Sequence, residues 1–435
     1  MAKRVVIIGG GVGGVATAYN LRKLDANLDI KVVSGRPYFG FTPAYPHLAI
    51  GWRKFGDIST PLQPALKKKN IDFINEDAEK IDPDANKVTL KSGKVLEYDY
   101  LVIATGPKLV YTEGQDENGY SVCTVDHALE LNRALEKFFE KPGPVVVGAK
   151  PGTSCFGPGY EFAFMLHYEA KKRGLRHKFP IYYITSEPFV GHLGLGGVGS
   201  SRRVMEDLMA ERDIRPTVNV KVKKVEKDHV VYEDLNGKEY QVESSFTMLM
   251  PSFMGTDVVA SAGDKVANPA NKMVIVDKCF NNPNYRNIYG VGVVAAIPPV
   301  EQTPVPTGTP KTGQMIEGMA LATALNIVSD IRNSSERYMP TLAAICIADL
   351  GNDAAGFIAY PVIPPRAWTL QKRSKWMHWV KSGFEKYFLW KVKTGDVEPW
   401  FEKMGLEAMF NLHLVEPCPN CSLSLIHISE PTRPY

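Results

Sequence analysis

Residues 5–19 read VVIIGGGVGGVATAY, which is an apolar run, a glycine-rich turn and the start of a helix-forming segment. This order predicts a β-strand, a tight loop and an α-helix, the opening of a dinucleotide-binding unit. Gly9 permits the tight turn, Gly11 lets the backbone approach a pyrophosphate, and Gly14 lets the helix pack closely on the strand. The phosphates are expected at the positive end of the helix. The glycines assigned to the site are Gly9, Gly10, Gly11, Gly13 and Gly14.

The strand predicted next lacks the acidic residue that usually binds the ribose of a dinucleotide. Residues 29–34, DIKVVS, end on Ser34 instead. We interpret Ser34 as a weaker hydroxyl contact to the adenosine ribose, and an ordinary loop serine is the alternative. Neighbouring residues assigned to the same site are Gly35, Arg36 and Pro43.

Two later segments indicate FAD rather than NAD as this first cofactor. Residues 98–106, YDYLVIATG, predict a strand that turns back against the cofactor at its last three residues. Residues 287–293, NIYGVGV, resemble a second flavin fingerprint in which a valine replaces the usual aspartate. Backbone groups would therefore have to hold the ribityl chain. The residues assigned here are Ala104, Thr105, Gly106, Gly292 and Val293.

A proline-rich loop, residues 303–313 (TPVPTGTPKTG), leads into a stretch with helical periodicity. The positive end of that helix, near Gly313, would point at the flavin. Lys311 is a candidate to stabilise negative charge on the reduced ring. A solvated lysine at the start of a helix is the alternative.

A second dinucleotide unit is predicted further along, but its loop is altered. Residues 144–158, PVVVGAKPGTSCFGP, predict a strand, a loop and then a helix over residues 156–173. Lys150 and Thr153 stand where this loop needs glycines. A side chain at position 150 would fill the space that the phosphates need. The sequence therefore argues against a nicotinamide nucleotide as the electron donor.

The same altered loop carries Cys155, at the entry of the predicted helix. The helix dipole is expected to lower the pKa of this thiol and to favour the thiolate. Cys346 lies in a predicted short strand, and Cys123 lies in the connection between the two nucleotide units. From the residues alone, both of these could be buried, inert thiols. Six cysteines in so long a chain are not expected to form a disulfide scaffold.

Length and composition suit a globular enzyme of two or three domains. The chain has 435 residues and a formal net charge of +4, which gives no case for nucleic-acid binding. No apolar run reaches the ~18 residues that a membrane-spanning helix needs. The first residues do not resemble a secretory signal, so we expect a start on the cytoplasmic side. Residues 422–435, SLSLIHISEPTRPY, break sharply in composition and are expected to be a non-native tail.

The segment 366–393 combines eight Lys or Arg residues, a single acidic residue and many aromatic residues. Its aromatic side chains recur on one face at helical spacing, with lysines around the edges. A basic, aromatic amphipathic helix is typical of a segment that lies in the interface of an anionic membrane. The alternative is an aromatic stripe that packs on the body of the protein.

Five short motifs together resemble the sulfide:quinone oxidoreductases, flavoproteins of the two-dinucleotide-fold disulfide reductase superfamily. The resemblance runs from residue 1 to about residue 410. The motifs are CTVDH (123–127), SCFGPGYE (154–161), TSEPFVGHLG (185–194), PTGTPKTG (306–313) and FEKYF (384–388).

The resemblance implies roles for particular residues. Cys155 and Cys346 would be the pair that carries bridging sulfur beside the flavin, and Cys123 would be a third, auxiliary thiol. Lys381 resembles the lysine that reaches the flavin from the C-terminal region. The groups implied for moving protons are Glu161, His127 and His192. For Glu161, a first-turn glutamate that favours the helix dipole is an equal alternative. For His192, the surrounding glycines predict a mobile loop rather than a core position.

The implied activity is FAD-dependent oxidation of sulfide to polysulfide or sulfur, with electrons passed to a membrane quinone. HS⁻ would attack the bridged cysteine sulfur as in thiol–disulfide exchange. The aromatic residues expected to flank the quinone ring are Phe357, Phe384 and Tyr387. Three alternatives stay open: a flavocytochrome-type sulfide dehydrogenase, a type II NADH:quinone oxidoreductase, and a flavin-containing sulfide sensor without turnover.

The predicted architecture is α/β, with two Rossmann-like domains of the FAD/NAD(P) type in tandem and a C-terminal amphipathic helical membrane-binding region. No metal is expected. We expect a homo-oligomer, held peripherally on the cell membrane. The predicted ranges are 1–110 and 251–335 for the FAD-binding domain, 111–250 for the second domain, 336–415 for the quinone- and membrane-binding region, and 422–435 for the tail.

Overall fold

The computed structural model of the chain describes residues 2–397 and 413–418. The predicted tail, residues 422–435, lies outside the described residues. To residue 118 the strands are β1 (Arg4–Ile8), β2 (Asp29–Val33), β3 (Tyr38–Gly40), β4 (Ser59–Pro61), β5 (Asp72–Ile74), β6 (Ala78–Asp82), β7 (Lys87–Leu90), β8 (Val95–Glu97), β9 (Tyr100–Ile103) and β10 (Lys108–Val110). The helices of this part are α1 (Val12–Leu24), α2 (Tyr45–Ile50), α3 (Leu62–Lys67) and α4 (Gln115–Asn118).

The remaining described elements follow in chain order. The strands are β11 (Val145–Ala149), β12 (Ile181–Thr185), β13 (Ile214–Thr217), β14 (Lys221–Val225), β15 (His229–Glu233), β16 (Glu239–Glu243), β17 (Phe246–Met250), β18 (Ser252–Met254), β19 (Ile288–Gly290), β20 (Tyr338–Pro340), β21 (Ala344–Asp349), β22 (Ala354–Tyr360), β23 (Trp368–Ser374) and β24 (Val415–Pro417). The helices are α5 (Val125–Glu140), α6 (Gly157–Lys172), α7 (Ser201–Glu211), α8 (Asp257–Ala260), α9 (Gly313–Ile331) and α10 (Lys375–Thr394). Short 3₁₀ turns cover Thr42–Ala44, Phe55–Asp57, Arg176–Lys178 and Gly292–Val294.

The first sheet is parallel and has the strand order β19-β9-β1-β2-β5. Val5, Val6 and Ile7 of β1 are fully or almost fully buried. A near-continuous apolar run is what a strand covered on both faces of a parallel sheet requires. The antiparallel strands β6, β7 and β8, which lie between β5 and β9 in the chain, form a separate small sheet. The loop between β1 and α1 is short, residues 9–11.

The second sheet repeats this plan with the parallel order β13-β12-β11-β17. The antiparallel strands β14, β15 and β16 lie between β13 and β17 in the chain. The predicted α/β class with two tandem parallel sheets is confirmed. The helix predicted over residues 156–173 is α6, which differs by one residue at each end. Its preceding loop, residues 150–156, is longer than the loop of the first unit.

The C-terminal part adds a three-stranded antiparallel sheet, β21-β22-β23, followed directly by α10. β21 carries Cys346, as predicted for a short strand, and packs on α6. In the described ranges 2–397 and 413–418, no helix is both long enough and apolar enough to span a membrane. The domain boundaries given above stay predictions.

Candidate functional site

The glycine loop after β1 leaves room for a ligand in front of α1. Gly9 has φ of +119°, and a Cβ added to it would lie 2.1 Å from the carbonyl oxygen of Ala104. A Cβ added to Gly14 would lie 1.9 Å from the carbonyl oxygen of Gly9, so neither position can carry a side chain. A Cβ on Gly11, by contrast, would meet no atom within 4 Å. The open side of the loop therefore faces the space where a pyrophosphate is expected.

Ser34, which is predicted to contact the ribose, lies in a local turn directly after β2. The Ser34 hydroxyl donates to the carbonyl oxygen of Arg36 at 3.1 Å and accepts its N–H at 3.2 Å, which closes a local turn. A Cβ added to Gly35 would lie 2.0 Å from Oδ1 of Asp77. Asp77 thus places a carboxylate beside the loop after β2, where the sequence has Ser34 in place of the usual acidic residue. The local pattern gave no signal for Asp77, because it follows β5, a different strand.

The second flavin fingerprint lies against the glycine loop. Gly292 opens a 3₁₀ turn with φ of +86°. A Cβ added to Gly13 would lie 3.0 Å from Cγ1 of Val291, and the N–H of Val291 donates to Ile103 at 2.9 Å. The segment that contains Val293 is therefore held by a backbone hydrogen bond to β9 and lies next to the start of α1.

The start of α9 presents polar groups that lack partners in the described chain. Burial lowers the pKa of Lys311 to about 8. The hydroxyl of Thr312 and Nε2 of Gln314 are buried without a hydrogen-bond partner among the described residues. Buried polar groups are normally paired, so these groups indicate a polar ligand at this helix start. Together with the glycine loop, they fit the FAD that the sequence predicts.

The loop of the second unit uses its own backbone donors. The N–H of Gly152 donates to the carbonyl oxygen of Pro306 at 2.7 Å, and that of Gly308 donates to Thr153 at 2.8 Å. The Thr153 N–H is also used, by the carbonyl of Lys150 at 3.3 Å. A phosphate-binding loop needs such N–H groups free to face the ligand. This loop is instead fastened to residues 303–310, the segment that leads to α9.

The side chain of Lys150 has a structural contact of its own. Its ammonium donates to the carbonyl oxygens of Val110 and Tyr111, each at 3.2 Å. Burial lowers its pKa. Lys150 therefore ties the altered loop to the connection between the two parallel sheets.

The structure brings the predicted cysteine pair to one place. A Cβ added to Gly157, the first residue of α6, would lie 3.6 Å from Sγ of Cys346. Cys155 lies two residues earlier, and its pKa responds to the charge of Cys346. The pKa of Cys123 responds in turn to Cys155. All three are free thiols, whereas Cys279 is disulfide-bonded.

The thiols at this place are held in the protonated form. Burial is the main cause that raises the pKa of Cys155 to about 12, and the charges of Cys346 and Glu161 add to it. Burial raises the pKa of Cys346 to about 11, although the charge of Lys381 opposes it. Burial also raises the pKa of Cys123 well above its usual value. The expectation of a lowered Cys155 pKa is therefore wrong, because desolvation outweighs a helix dipole that begins two residues later.

Glu161 lies in the buried part of α6, close to the thiols. Its Oε1 accepts a hydrogen bond from the backbone N–H of Asp349 at 3.0 Å. The same oxygen forms an ion pair with the ammonium of Lys381. The first turn of α6 contains no acidic residue, since Glu161 is the fifth residue of the helix. The alternative of a first-turn glutamate is therefore wrong. Lys381, expected at the flavin, contacts Glu161 and is close enough to lower the pKa of Cys346.

His127 lies close to Cys123, and Ser121 contacts both residues. Its Nδ1 is 3.0 Å from the hydroxyl of Ser121, and its Nε2 is 3.1 Å from that of Tyr111. A side-chain hydrogen bond with Ser121 also acts on the Cys123 thiol and lowers its pKa against the effect of burial. Burial lowers the pKa of His127, which favours the neutral imidazole. Ser121 thus links the histidine to Cys123.

His192 does not lie in an open loop. Its side chain is only 1% exposed, and Nε2 is 2.7 Å from Oε1 of Glu301. Its Nδ1 accepts the N–H of Gly194 at 3.1 Å. A Cβ added to Gly194 would lie 2.2 Å from the carbonyl oxygen of Gly308, so this loop packs tightly on residues 303–310. The predicted mobile position is wrong, because the glycines here serve close packing. Burial lowers the pKa of His192 despite the nearby Glu301.

The helix α10 has an unusual distribution of side chains. Trp376 and Trp379 are 78% and 70% exposed. Its buried face instead carries charged residues, each in an ion pair with the body of the protein. The pairs are Lys381 with Glu161, Glu385 with Arg53, and Lys391 with Glu317. The alternative that the aromatic stripe packs in the core is wrong for the exposed tryptophans, although Phe388 is buried against Phe39 and Phe41.

The three aromatic residues expected at the quinone lie in two places. Phe357 is buried on β22, directly opposite Cys346 in the strand register. Phe384 and Tyr387 are on α10, where Phe384 is 6.3 Å from the ring of Phe41. Phe357 is thus placed next to the Cys346 thiol, whereas Phe384 and Tyr387 lie on α10.

The chain is similar to known proteins over almost its whole length. Residues 3–315 match the family described as pyridine nucleotide-disulphide oxidoreductase. The chain is 64% identical over 422 residues to the sulfide-quinone reductase of Aquifex aeolicus, which covers 97% of this chain and 98% of that protein. The X-ray structure of the sulfide:quinone oxidoreductase from the same organism has a TM-score of 0.96 at 63% identity, over 97% of this chain and 99% of that chain.

More distant proteins share the fold. The mitochondrial sulfide:quinone oxidoreductase of Mus musculus is 24% identical over 311 residues, which cover 68% of this chain and 66% of that protein. The structure of NDH2 from Plasmodium falciparum in complex with NADH has a TM-score of 0.70 at 17% identity, over 96% of this chain and 100% of that chain. At this identity the second likeness concerns the fold alone.

Proposed function

This chain belongs to the pyridine nucleotide-disulphide oxidoreductases and, among them, to the sulfide:quinone oxidoreductase family, and on that premise we propose how its residues perform the reaction. The protein oxidises sulfide and passes the electrons through FAD to a quinone. We assign the sulfur chemistry to Cys155 and Cys346, with Cys123 as an auxiliary thiol. The observation that carries this assignment is the meeting of Cys346 with the start of α6, directly after Cys155.

The cysteine loop is also joined to the segment that leads to the flavin. A Cβ added to Gly308 would lie 2.8 Å from Cβ of Ser154, next to Cys155, and Gly308 donates to Thr153. Gly308 belongs to the loop that continues through Lys311 into α9. This contact supports a cysteine site and a cofactor site that share one wall.

When bound, FAD would supply a two-electron carrier between the sulfur site and the quinone. The residues that would hold it are the glycines of the β1 loop, the turn after β9, the 3₁₀ turn at Gly292 and the start of α9. Lys311 lies at that helix start, where its buried ammonium suits an edge of the ring that gains negative charge. The residues assigned to FAD are Gly9, Gly10, Gly11, Gly13, Gly14, Ser34, Gly35, Arg36, Pro43, Ala104, Thr105, Gly106, Gly292, Val293, Lys311 and Gly313.

The partly buried thiols of Cys155 and Cys346 need a base close by. In the oxidised, bridged form of the cysteine pair, HS⁻ would attack one bridge sulfur, which leaves a persulfide there and releases the other cysteine as a thiolate. Because the pKa values of Cys155 and Cys346 are raised to about 12 and about 11, these thiols do not ionise unaided at neutral pH. Glu161 contributes negative charge at both thiols and is the carboxylate placed to take a proton there.

The electron acceptor is proposed to arrive from a membrane at α10. Trp376 and Trp379 expose large apolar surfaces, and the lysines 372, 375 and 386 beside them are exposed. Indole rings and lysines at the edge of a helix suit the headgroup region of an anionic bilayer. Phe384 and Tyr387 lie on the same helix and are proposed to contact the quinone. A peripheral location without a membrane-spanning segment is therefore proposed.

Two alternatives are less well supported. For an NADH dehydrogenase, the loop after β11 would need free N–H donors, and those of Gly152 and Thr153 are used internally. Electron transfer to a cytochrome subunit does not require a membrane-binding helix, so it leaves the exposed aromatic side of α10 unexplained. Both observations favour sulfide as donor and a lipid-soluble quinone as acceptor.

Anaerobic flavin absorbance tests the proposed function. Sulfide should bleach the bound flavin, and a soluble quinone should then restore its colour. NADH, added in place of sulfide, should leave the oxidised spectrum unchanged. Bleaching by NADH, together with no response to sulfide, would refute the proposal.

A further inference from the structure

Glu187 is a fully buried carboxyl group that follows β12, the second strand of the altered nucleotide unit. An acidic residue after the second strand of such a unit normally binds the ribose of a dinucleotide. Here its Oε2 atom instead accepts the hydroxyls of Tyr160 at 2.7 Å and Thr185 at 2.9 Å. Two hydroxyl groups of the chain itself therefore occupy the carboxyl group that a nucleotide would use.

In the described part of the chain, no cation pairs with Glu187. Burial raises the pKa of this carboxyl group to about 7, although the N–H of Leu193 and the hydroxyls of Tyr160 and Thr185 oppose that effect. Burying a carboxyl group without a counter-charge costs folding free energy. A side chain of this kind is poorly explained by stability, so the groups that it holds in place indicate its role.

The other oxygen of Glu187 holds the histidine loop, residues 191–194. Its Oε1 atom accepts the N–H of Leu193 at 2.7 Å, and the Tyr160 hydroxyl accepts the N–H of Gly191 at 2.8 Å. Leu193 has φ of +61°, a left-handed backbone conformation that a residue with a Cβ rarely adopts. Such a conformation persists only where the surroundings fix it, and the hydrogen bond to Glu187 does so here.

Tyr160 connects this network to the helix of the cysteine site. It is the fourth residue of α6, which begins directly after the cysteine loop, residues 150–156. Its side chain is fully buried, and its ring stacks on that of Tyr183 in β12 with the centroids 4.5 Å apart. Its hydroxyl donates to Glu187 and accepts from Gly191. One oxygen atom thus links α6 to the histidine loop.

The histidine loop packs on residues 303–311, the flavin segment, which leads into α9. A Cβ added to Gly194 would lie 2.2 Å from the carbonyl oxygen of Gly308 and 3.3 Å from Cδ of Pro310. Gly308 also donates its N–H to Thr153 of the cysteine loop at 2.8 Å. The flavin segment is therefore tied to the cysteine site twice, once directly and once through the histidine loop and α6.

The step from sulfur to flavin depends on how the cysteine loop and the flavin segment are spaced. After HS⁻ has opened the bridge, the persulfide sulfur and the thiolate of the other cysteine join in a new S–S bond. The two electrons that this releases go to FAD together with the persulfide proton. Reacting atoms need to approach to about 3–3.5 Å, and a misplacement of about 1 Å can slow a reaction by on the order of a hundredfold. Because Cys155 belongs to the cysteine loop and Lys311 to the flavin segment, their separation governs this approach.

We propose that Glu187 and Tyr160 are positioning residues, which hold the cysteine loop and the flavin segment at a fixed separation for the sulfur-to-flavin step. This inference rests on the proposed function, because it concerns the transfer of electrons from the cysteine pair to FAD. Both residues act through α6 and the histidine loop rather than on the reacting atoms.

The test compares Tyr160→Phe with the matched control Tyr285→Phe in the FAD-containing protein. Both changes remove a hydroxyl that donates to a carboxylate at 2.7 Å, but Tyr285 makes its contact with Asp84 at the surface. Phenylalanine keeps the ring that stacks on Tyr183, so the variant is expected to fold. Glu187→Gln is the second variant, because the amide keeps the shape of the side chain but offers one accepting oxygen where Glu187 uses two.

Anaerobic stopped-flow absorbance would follow flavin reduction over a range of sulfide concentrations. In Tyr160→Phe and Glu187→Gln, the limiting rate at saturating sulfide should fall by about tenfold to a hundredfold. The sulfide concentration that gives half of this rate should be unchanged, and so should reoxidation by a soluble quinone. Tyr285→Phe should match the wild type. An unchanged limiting rate in Tyr160→Phe would overturn the inference. An equal loss in both half-reactions would also overturn it, because it marks a general structural role.

Hydrogen exchange, measured by mass spectrometry, provides a readout that needs no turnover. In Tyr160→Phe, the N–H groups of the histidine loop and of the flavin segment should both exchange about tenfold faster or more than in the wild type, since local opening becomes easier. Unchanged exchange in the flavin segment would overturn the inference whatever sulfide does. A wild-type flavin that sulfide cannot bleach would instead refute the proposed function.

Discussion

The ammonium of Lys381 and the carboxylate of Glu161 form a buried ion pair across 220 residues of sequence. Lys381 belongs to α10 and Glu161 to α6, so the pair fastens the C-terminal helix to the helix that follows Cys155. Two further ion pairs on the same side of α10 are Glu385 with Arg53 and Lys391 with Glu317. Three charged side chains of α10 thus face the protein, whereas Trp376 and Trp379 face outward.

The cysteine pair gives the most direct prediction. Cys155→Ser or Cys346→Ser should reduce the rate of flavin bleaching by sulfide roughly a thousandfold or more, because a hydroxyl cannot carry sulfane sulfur. Anaerobic absorbance measures this rate. Cys418→Ser is the matched control, since Cys418 is a buried cysteine that belongs to neither α6 nor β21. Full activity in Cys155→Ser would contradict the assignment.

Glu161→Gln should separate chemistry from stability. Loss of the base should slow sulfide-dependent reduction by about 10²- to 10⁴-fold. The buried ammonium of Lys381 would also lose its counter-charge, which costs about 3–5 kcal/mol of the free energy of unfolding. Denaturant unfolding and stopped-flow absorbance measure the two effects. Glu136→Gln breaks the exposed pair with Arg173 and should cost at most about 1 kcal/mol. An unaltered rate in Glu161→Gln would exclude it as the base.

The glycine loop predicts a sharp effect on FAD content. A Cβ at Gly14 would lie 1.9 Å from the carbonyl oxygen of Gly9, so Gly14→Ala should displace the loop and yield protein largely without FAD. The ratio of flavin to protein absorbance measures this. Gly93→Ala is the control, because Gly93 lies in a turn where a Cβ meets nothing within 4 Å. Its φ of +86° makes it a strained site as well, yet FAD content should stay normal.

The exposed side of α10 predicts weaker membrane binding when its indoles are removed. Trp376→Ser with Trp379→Ser should lower partitioning onto anionic vesicles about a hundredfold, which corresponds to roughly 3 kcal/mol. Vesicle sedimentation measures the bound fraction. Val95→Ser removes an exposed apolar side chain on β8, outside α10, and should bind as the wild type does. Equal binding of the double variant would show that another surface meets the membrane.

Asp349, whose Oδ2 atom lies 3.0 Å from Nε2 of His47 and 2.9 Å from Nδ1 of His378, predicts a change in acid stability. Its pKa is lowered to about 2 in the folded chain, so the unfolded chain binds more protons between that value and the ordinary carboxyl pKa. Its contribution is therefore complete above about pH 4 and is lost as the pH falls toward about 2. The amount is roughly 2–3 kcal/mol. Asp349→Asn should show a shallower loss of stability in that window, measured by denaturant unfolding at several pH values. An unchanged slope would contradict the pairing with His47.

The sequence predicted the elements that depend on local pattern. The glycine motif placed β1 and α1, and the start of α6 agreed within one residue because Gly157 and Pro158 mark a helix start. The exposed aromatic side of α10 also followed from helical spacing. These features need only neighbours along the chain.

Features that depend on burial or on distant contacts were missed. The pKa of Cys155 was expected to fall, yet burial raises it, and burial is not visible in the sequence. The glycines around His192 read as a flexible loop, but they permit close packing on residues 303–310. Asp349 and its two histidines come from β21, α2 and α10, and no local motif links such separate segments.

The position of β19 has a consequence for how the chain assembles. This strand, residues 288–290, is the edge partner of β9, which ends at residue 103, and the whole second sheet is encoded between them. During synthesis at about 5–20 residues per second, β9 waits roughly ten to forty seconds for its partner. The second sheet can be complete by then. The nascent chain therefore builds its cysteine-bearing sheet before the flavin-binding sheet is closed, and a truncated translation product would expose the unpaired edge of β9.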